Sequence, residues 1–388
     1  MKLDYMKHGF FASLVLLLFT SCFKEEPKNM ECDILEAWVE GESYAAYFFN
    51  SADMRVLDVP SNEQKVEFTV RSQATLPALP VHFKLSPGAT IVPGDGTEQD
   101  FSKGPVTYTV TSEDGEWSRQ YTVSFRNPPT PPLVGNTMKF DFENYSLDEN
   151  GKYYVWYEKG DDGAKSEIWA SGNAGFMMSK QNAAPDAYPS VPDPNGYEGS
   201  CLKLTTCDTG SWGKKFKKPI AAGSVFLGEF DSQYALTKTL WTTKMGIPFT
   251  EEPVKVTGYY KYTPGEKFTN EKGETLGGRV DEPNLYAVFY YNKDESGAVA
   301  VLHGDDVMSS PRIVSIAQQA SFPATTEWTK FELTFAGDKP IDATQLANRD
   351  YSLALVFSSS REGDMFMGAV GSTLYVDKVE ITFKPKEE

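Results

Sequence analysis

Alternation of apolar and polar residues is the dominant pattern along this chain. In KVEFTV, the apolar residues Val66, Phe68 and Val70 share one parity, and VTYTV repeats the rhythm further along. Successive side chains of a strand point to opposite faces, so this two-residue period predicts half-buried β-strands. Asp114–Gly115 follows the second segment and favours a hairpin turn. These signals predict an N-terminal β-sandwich over residues 34–126.

The same rhythm returns in the longer second part of the chain. The segments MKFDFE, KFELTF, YSLALVF and STLYVDKVEITF all alternate, and in the last of them the apolar parity changes at Asp377–Lys378. A change of parity within one strand predicts a β-bulge. Helical signals are few, and DATQLAN, with Asp342 as its candidate N-cap, is the clearest. Short strands between Gly- and Pro-rich turns predict a second, larger sandwich over residues 137–388.

A proline-rich stretch separates the two predicted sandwiches. NPPTPPLVGN spans residues 127–136 and contains four prolines. Proline fixes one backbone dihedral and removes a hydrogen-bond donor, so such a stretch is stiff and extended. We therefore predict a linker and a domain boundary at residues 127–136.

The first 21 residues (1–21) have the pattern of a secretory signal. Two lysines precede an apolar run that is too short for a stable membrane span, and small residues lead to Cys22. The segment resembles the lipobox of bacterial lipoproteins, although Phe19 departs from the usual leucine. The resemblance implies lipidation of the Cys22 thiol. The polar and charged residues that follow predict a flexible tether over residues 22–33. An ordinary secretory signal or a single membrane anchor is the alternative.

The residues FKEEP directly after Cys22 carry a second resemblance. They are similar to the export signal of surface lipoproteins from glycan-degrading gut anaerobes. That similarity implies a lipid-anchored protein of the outer membrane, exposed at the cell surface. The formal net charge of −17 repels phosphate backbones, so nucleic acid is not expected as a partner.

Two further resemblances cover most of the chain. LSPGATIVPGDGTEQDFSKGPVTYTVTSEDG looks like the immunoglobulin-like module of bacterial surface lipoproteins, which acts as a spacer or docking unit. FDFEN, AGSVFLGEF, KVTGYYKYTPGE and LYVDKVEITF, in that order, resemble the Putative carbohydrate metabolism domain of such lipoproteins. The resemblance implies an all-β chain, in which an immunoglobulin-like sandwich precedes a galactose-binding-like jelly roll. It also implies a glycan ligand but specifies no reaction.

Tyr259 is the first candidate for sugar binding. In VKVTGYYKYTPGEKF, Tyr260 and Tyr262 share the apolar parity, whereas Tyr259 falls on the polar face beside lysine and threonine. Sugar rings pack their C–H groups against aromatic faces, and their hydroxyls need polar partners at the edges. The alternative is that a loop covers Tyr259 or that it is simply an exposed tyrosine.

Aromatic residues in predicted loops are further candidates. Trp212 in TGSWGKK, Trp169 in SEIWASGN and Tyr188 in PDAYPS have no alternation that would bury them. Loops at the rim of a rigid sandwich commonly carry binding residues, so the three rings are candidate sugar contacts. Each ring could instead plug one end of the core.

Two acidic residues raise the question of a structural calcium ion. Glu143 follows the first strand of the larger domain, and Asp377 lies at the predicted bulge of its last strand. First and last strands of a jelly roll are commonly neighbours, and calcium prefers carboxylate and carbonyl oxygens. We expect either a calcium site at Glu143 and Asp377 or solvated strand-end charges.

Signals for catalysis are weaker. A glycosidase needs two carboxyl groups that face each other across the scissile bond. A chain with 54 acidic residues always offers such pairs, and His303 is the one histidine of the larger domain. The candidate carboxyl pairs are Asp305 with Asp306, Glu229 with Asp231, and Asp281 with Glu282.

Taken together, the residues and the resemblances predict a surface lipoprotein that binds carbohydrate as part of glycan capture and utilisation. It would hold glycans near the cell for other surface proteins of glycan utilisation. A glycoside hydrolase and an adhesive or structural surface protein are the alternatives.

Overall fold

The computed structural model describes residues 27–45, 47–48, 51–70, 76–126, 133–159 and 165–385. The predicted signal segment, Cys22 and much of the proline-rich linker lie outside these ranges. In the ranges that are described, no helix is both long and apolar enough to cross a membrane.

The N-terminal domain is a β-sandwich. One sheet has the strand order β2-β1-β5 and the other β3-β9-β8-β6, while β4 pairs with β7. The short helix α1 spans Glu42–Ala45 and two 3₁₀ turns span Ser51–Met54 and Phe101–Lys103. The strands are β1 (Ile34–Trp38), β2 (Arg55–Val56), β3 (Lys65–Thr69), β4 (Leu79–Pro80), β5 (His82–Leu85), β6 (Thr90–Val92), β7 (Glu98–Gln99), β8 (Val106–Thr111) and β9 (Ser118–Arg126).

Burial in this domain follows the parity of the sequence. Val66, Phe68 and Val70 are all buried, and the Phe68 ring stacks on Phe125 with a centroid distance of 4.6 Å. Strands β8 and β9 pair antiparallel on either side of Asp114–Gly115. The immunoglobulin-like sandwich and its hairpin are therefore confirmed.

The tether predicted over residues 22–33 ends too late, because its last residues belong to the N-terminal domain. Cys32 is buried in the core of the N-terminal domain. The Asp33 carboxylate accepts a hydrogen bond from the Tyr121 hydroxyl at 2.9 Å and forms an ion pair with Arg119. Burial and pairing of these two side chains attach the segment to the sandwich, so it is not a free spacer there.

The described part of the C-terminal domain contains 21 strands and three short helices. Its helices are α2 (Asn173–Ser179), α3 (Gly210–Lys215) and α4 (Ala343–Ala347), and its 3₁₀ turns are Pro185–Ala187, Ser232–Tyr234, Thr239–Thr242 and Gly363–Met365. Its strands are β10 (Thr137–Phe140), β11 (Tyr145–Leu147), β12 (Tyr154–Trp156), β13 (Glu158–Lys159), β14 (Lys165–Ser166), β15 (Trp169–Ser171), β16 (Ser190–Asp193), β17 (Cys201–Thr205), β18 (Cys207–Asp208), β19 (Ile220–Ala221), β20 (Ser224–Phe230), β21 (Thr243–Met245), β22 (Ile247–Phe249), β23 (Pro253–Thr263), β24 (Phe268–Thr269), β25 (Asn284–Tyr291), β26 (Ile313–Gln318), β27 (Thr325–Thr334), β28 (Tyr351–Ser358), β29 (Gly368–Ala369) and β30 (Thr373–Phe383).

Two antiparallel sheets form the sandwich of this domain. The first sheet has the order β16-β17-β30-β23-β27, with β10 also paired to β30. The second has the order β15-β20-β28-β25-β26, with β21 paired to β20 and β22 to β28. Their inner faces meet in one apolar core that includes Leu202, Val376, Leu227 and Leu355. The predicted jelly-roll sandwich is confirmed.

Local signals in the last third of the domain are also confirmed. Between Thr257 and Tyr259 of β23 the register to β30 shifts by one extra residue on β30, and Lys378 there has a φ of 48°. This is the predicted bulge, and it lets both halves of β30 bury their apolar residues. The Asp342 side chain accepts a hydrogen bond from the Gln345 backbone N–H and caps α4.

Candidate functional site

A cavity of about 460 Å³ lies on the face of the second sheet that points away from the core. Strands β20, β28 and β25 are adjacent there, and residues directly opposite each other share a face. Two cross-strand rows form the floor of the cavity. The rows are Ser224, Ser358 and Asn284, and Phe226, Val356 and Tyr286.

Loops and short helices build the walls. Helix α2 contributes Phe176 and α3 contributes Trp212, while further wall segments come from residues 235–243, 304–309 and 360–366. A cavity of this size with aromatic and polar lining is typical of a small-ligand site. Five exposed apolar side chains lie in these walls or directly beside them, and they form what we call the apolar rim: Trp212, Phe216, Leu236, Met308 and Met365.

Trp212, a predicted sugar contact, thus lies at the mouth of the cavity. Its side chain is 38% exposed, and its ring contacts Phe216 at a centroid distance of 4.7 Å. A Cβ atom on Gly213 would meet Thr209 Oγ1 at 2.1 Å, so only glycine fits beneath the helix. Gly213 is thus the closely packed side of α3, and the neighbouring Trp212 ring lies at the surface.

Among the described residues, Lys218 is one of two cationic residues in the cavity lining, together with Arg361. Its ammonium group donates to the Ala235 carbonyl and to Thr239 Oγ1, both at 2.5 Å. Burial lowers the pKa of Lys218, since a charged group loses hydration there. The two hydrogen bonds fix the wall segment that carries Leu236.

Asp364 in the wall and Tyr286 on the floor supply polar groups to the cavity. Loss of hydration raises the pKa of the Asp364 carboxyl, even though this residue is exposed at the mouth. Burial, and then the charge of Asp364, raises the pKa of the Tyr286 hydroxyl. Tyr286 therefore stays protonated at neutral pH and can donate a hydrogen bond.

A second acid, Asp305, lies in a different wall segment of the cavity. Its carboxylate accepts a hydrogen bond from Trp241 Nε1 at 2.9 Å. The Trp241 ring stacks on His303 with a centroid distance of 4.9 Å and an interplanar angle of 3°, and Lys238 Nζ lies 4.0 Å from the ring centroid. This cluster gives the mouth a polar and aromatic border.

The buried carboxylate of Asp281 stabilises the cavity wall that contains Ser360. Its Oδ2 atom accepts hydrogen bonds from Ser360 Oγ at 2.6 Å, Ser372 Oγ at 2.7 Å and the Ala369 N–H at 2.8 Å. Desolvation raises the pKa of this buried carboxyl, although those hydrogen bonds lower it in part. Since Ser360 lines the cavity, Asp281 positions the wall and takes no part in the lining.

The other predicted carboxyl pairs have structural contacts. Lys244 Nζ lies 3.3 Å from Glu229 and 3.2 Å from Asp231. Asp306 accepts a hydrogen bond from the His303 backbone N–H at 2.7 Å. Of the acids singled out in the sequence, Asp305 is the one that lines the cavity.

The prediction that Trp169 and Tyr188 lie at the rim of the sandwich is wrong. Their side chains are only 5% and 2% exposed. Trp169 packs in the main core against Phe140, and Tyr188 contacts Phe176 in a smaller cluster. Both lie in or beside short strands that the alternation did not reveal, so packing against distant residues covers them.

Burial of Trp169 has an electrostatic consequence. Its indole N–H donates to Glu158 Oε1 at 2.8 Å, and burial raises the pKa of Glu158 to about 7. The folded state then binds more protons than the unfolded state between about pH 4.5 and pH 7. Stability contributed by Glu158 is therefore present at low pH and is lost as the pH rises through about 7.

Replacing Glu158 with glutamine should remove this pH dependence while keeping an acceptor for Trp169. We expect Glu158→Gln to stabilise the protein by up to about 3 kcal/mol at pH 8 and by much less at pH 5. Urea unfolding at both pH values measures this difference. The exposed Glu167→Gln change is the matched control, and an equal effect of Glu158→Gln at both pH values would contradict the assignment.

Tyr259 lies on the outer face of the first sheet, as its parity predicts, whereas Tyr260 and Tyr262 are buried. Its ring is covered by Tyr197, which stacks on it with a centroid distance of 3.9 Å and an interplanar angle of 9°. Tyr197 is itself 47% exposed. The outer aromatic face is therefore presented by Tyr197, which the sequence analysis missed.

The predicted calcium residues converge on the loop that carries Tyr197. Glu143 Oε1 accepts a hydrogen bond from the Ser200 N–H at 2.9 Å, and Asp377 Oδ2 accepts one from the Glu198 N–H at 3.1 Å. Such donors take up lone pairs that a cation would need. No group of three or more metal-binding side chains occurs in the described ranges. Calcium stays a prediction, which a fall in melting temperature on adding a chelator would support.

Comparison with known proteins connects this architecture to carbohydrates. Residues 141–382 match the family described as "Putative carbohydrate metabolism domain", and residues 47–125 match the family described as "SGBP, N-terminal". No curated protein matches the chain.

Two solved structures are similar to this chain. A putative glycoside hydrolase from Bacteroides thetaiotaomicron VPI-5482 is 37% identical, with a TM-score of 0.67, over 94% of this chain and 100% of that one. A putative glycoside hydrolase from Bacteroides vulgatus ATCC 8482 is 39% identical, with a TM-score of 0.59, over 63% of this chain and 98% of that one.

Proposed function

Since this chain belongs to the Putative carbohydrate metabolism domain family, we propose that it binds a glycan in the cavity of its C-terminal domain. The observation that carries the proposal is the combination, in one cavity, of the apolar rim with polar lining groups. Trp212 offers a ring face to the C–H groups of a sugar. Asp364 and Asn284 offer partners for its hydroxyls.

Glycan capture at the cell surface is the second part of the proposal. The match of residues 47–125 to the N-terminal domain of surface glycan-binding proteins supports this location. The lipobox ending at Cys22 supports a lipid anchor in the outer membrane. The N-terminal sandwich would then act as a spacer that holds the cavity away from the membrane, within reach of other glycan-utilisation proteins.

Hydrolysis is the second candidate function, and one observation favours it. Asp364 and Asp305 both line the cavity, and the raised pKa of Asp364 suits a general acid. Asp305 would then be the base or nucleophile. The similarity to two proteins described as putative glycoside hydrolases is in line with this candidate.

A glycan array probed with the full chain separates these functions. Binding without release of sugar supports the capture proposal. Sugar release that disappears in Asp364→Asn or Asp305→Asn, but persists in Asp306→Asn, would establish the hydrolase instead. Binding of no glycan, together with specific capture of a surface protein, would favour an adhesive role.

A further inference from the structure

A row of lysine and aromatic side chains crosses the outer face of the first sheet. Lys203 lies directly opposite Tyr375 across β17 and β30, and Lys261 lies opposite Tyr375 across β30 and β23. Lys261 Nζ is 4.8 Å from the Tyr375 ring centroid and 4.5 Å from that of Trp328 on β27. Tyr197 continues the row, 6.3 Å from Trp328. The row crosses four strands, a span of about 14 Å.

The two lysines of this row have no acid partner. Among the residues that the structure describes, no carboxylate lies within 4.0 Å of the ammonium groups of Lys203 or Lys261. Two other lysines on the same outer face are paired, since Lys139 contacts Glu380 at 3.1 Å and Lys255 contacts Glu332 at 2.9 Å. Unpaired cations are notable in a protein with a net charge of −17.

Acidic groups near the row have partners of their own. Asp193 accepts two hydrogen bonds from Asn195, at 2.9 and 3.0 Å. Glu198 pairs with Lys378 at 3.3 Å. Lys378 offsets the charge of Glu198, whereas Asp193 remains an anion near Tyr375, so the two ammonium groups outnumber the unpaired carboxylates named here.

We propose that this row is a second glycan-binding surface, distinct from the cavity, and that it binds acidic polysaccharides. Carboxylate or sulfate groups would contact Lys203 and Lys261, while a sugar ring packs on the exposed face of Tyr197. The cavity lies on the other sheet, so a ligand bound at one surface leaves the other surface accessible. The inference rests on the proposed glycan-binding function but not on the cavity.

Binding of defined polymers to the full chain tests this surface. Polygalacturonate carries only carboxylates, dextran sulfate carries only sulfates, and dextran is neutral. We expect the wild-type protein to bind at least one polyanion more tightly than dextran, with affinity falling as salt rises. Lys203→Gln combined with Lys261→Gln should weaken that binding about tenfold or more.

Lys139→Gln combined with Lys255→Gln is the matched control, because it removes the same charge from the same sheet face. Its affinity should stay within about twofold of the wild type. Equal losses in the two double variants, or no preference for either polyanion over dextran, would overturn the inference. The glycan array tests the cavity separately, so failure of the cavity proposal and failure of this one are distinguishable.

Discussion

Replacing Trp212 with alanine is expected to weaken glycan binding by about 10- to 100-fold. The ring lies at the mouth of the cavity, where its loss removes the aromatic face on which a sugar would pack, and such central aromatic contacts are worth about 1.4–3 kcal/mol. Because the ring is partly exposed, the melting temperature should change by no more than about 2 °C. Calorimetric titration with an array-selected glycan measures the first effect and thermal unfolding the second.

Trp117 offers a matched control for this substitution. It is 54% exposed and lies in the N-terminal domain, outside the cavity. Trp117→Ala should leave the affinity unchanged. If Trp212→Ala also leaves it unchanged, the glycan does not contact the cavity mouth. A large fall in melting temperature for Trp212→Ala would show that the ring supports the fold instead.

Replacing Asp281 with alanine should destabilise the protein by about 3–5 kcal/mol. The change leaves the donors of Ser360, Ser372 and Ala369 buried without their acceptor, which costs more than the loss of an ordinary hydrogen bond. The free energy of unfolding in urea measures the effect. Because Ser360 lines the cavity, glycan affinity should fall as well.

Glu282 is the control for Asp281, since it is the next residue and lies near the surface. Its carboxylate pairs with Arg361 at 3.1 Å, and both side chains are accessible to solvent. Glu282→Ala should therefore cost less than about 1 kcal/mol. Similar losses for the two variants would mean that the Asp281 network does not hold the wall as we describe.

Strands and faces were predictable from the sequence because alternation reports burial directly. The parity of VKVTGYYKYTPGEKF separates Tyr259 from the buried Tyr260 and Tyr262, and the bulge at Asp377–Lys378 follows from one change of parity. Both sandwiches extend along many such strands, and each strand carries its own signal. This is why the fold class could be inferred without any knowledge of the loops.

Which aromatic side chains the loops cover was not predictable, because the alternation of apolar and polar residues reports burial only within a strand. Tyr197 lies 62 positions before Tyr259, and only the folded loop brings the two rings together. Trp169 and Trp212 look alike in sequence, yet one is buried in the core and the other lies on the rim. The cavity itself depends on wall segments from five separate parts of the chain, so Lys218 and Asp364 gave no signal as binding residues.

A crystal structure of the full chain with a neutral, array-selected oligosaccharide tests the central claim most directly. We expect a sugar ring packed on Trp212, with hydroxyl groups directed to Asp364 in the cavity wall and Asn284 on its floor. An oligosaccharide bound elsewhere, with the cavity free of sugar, would contradict it.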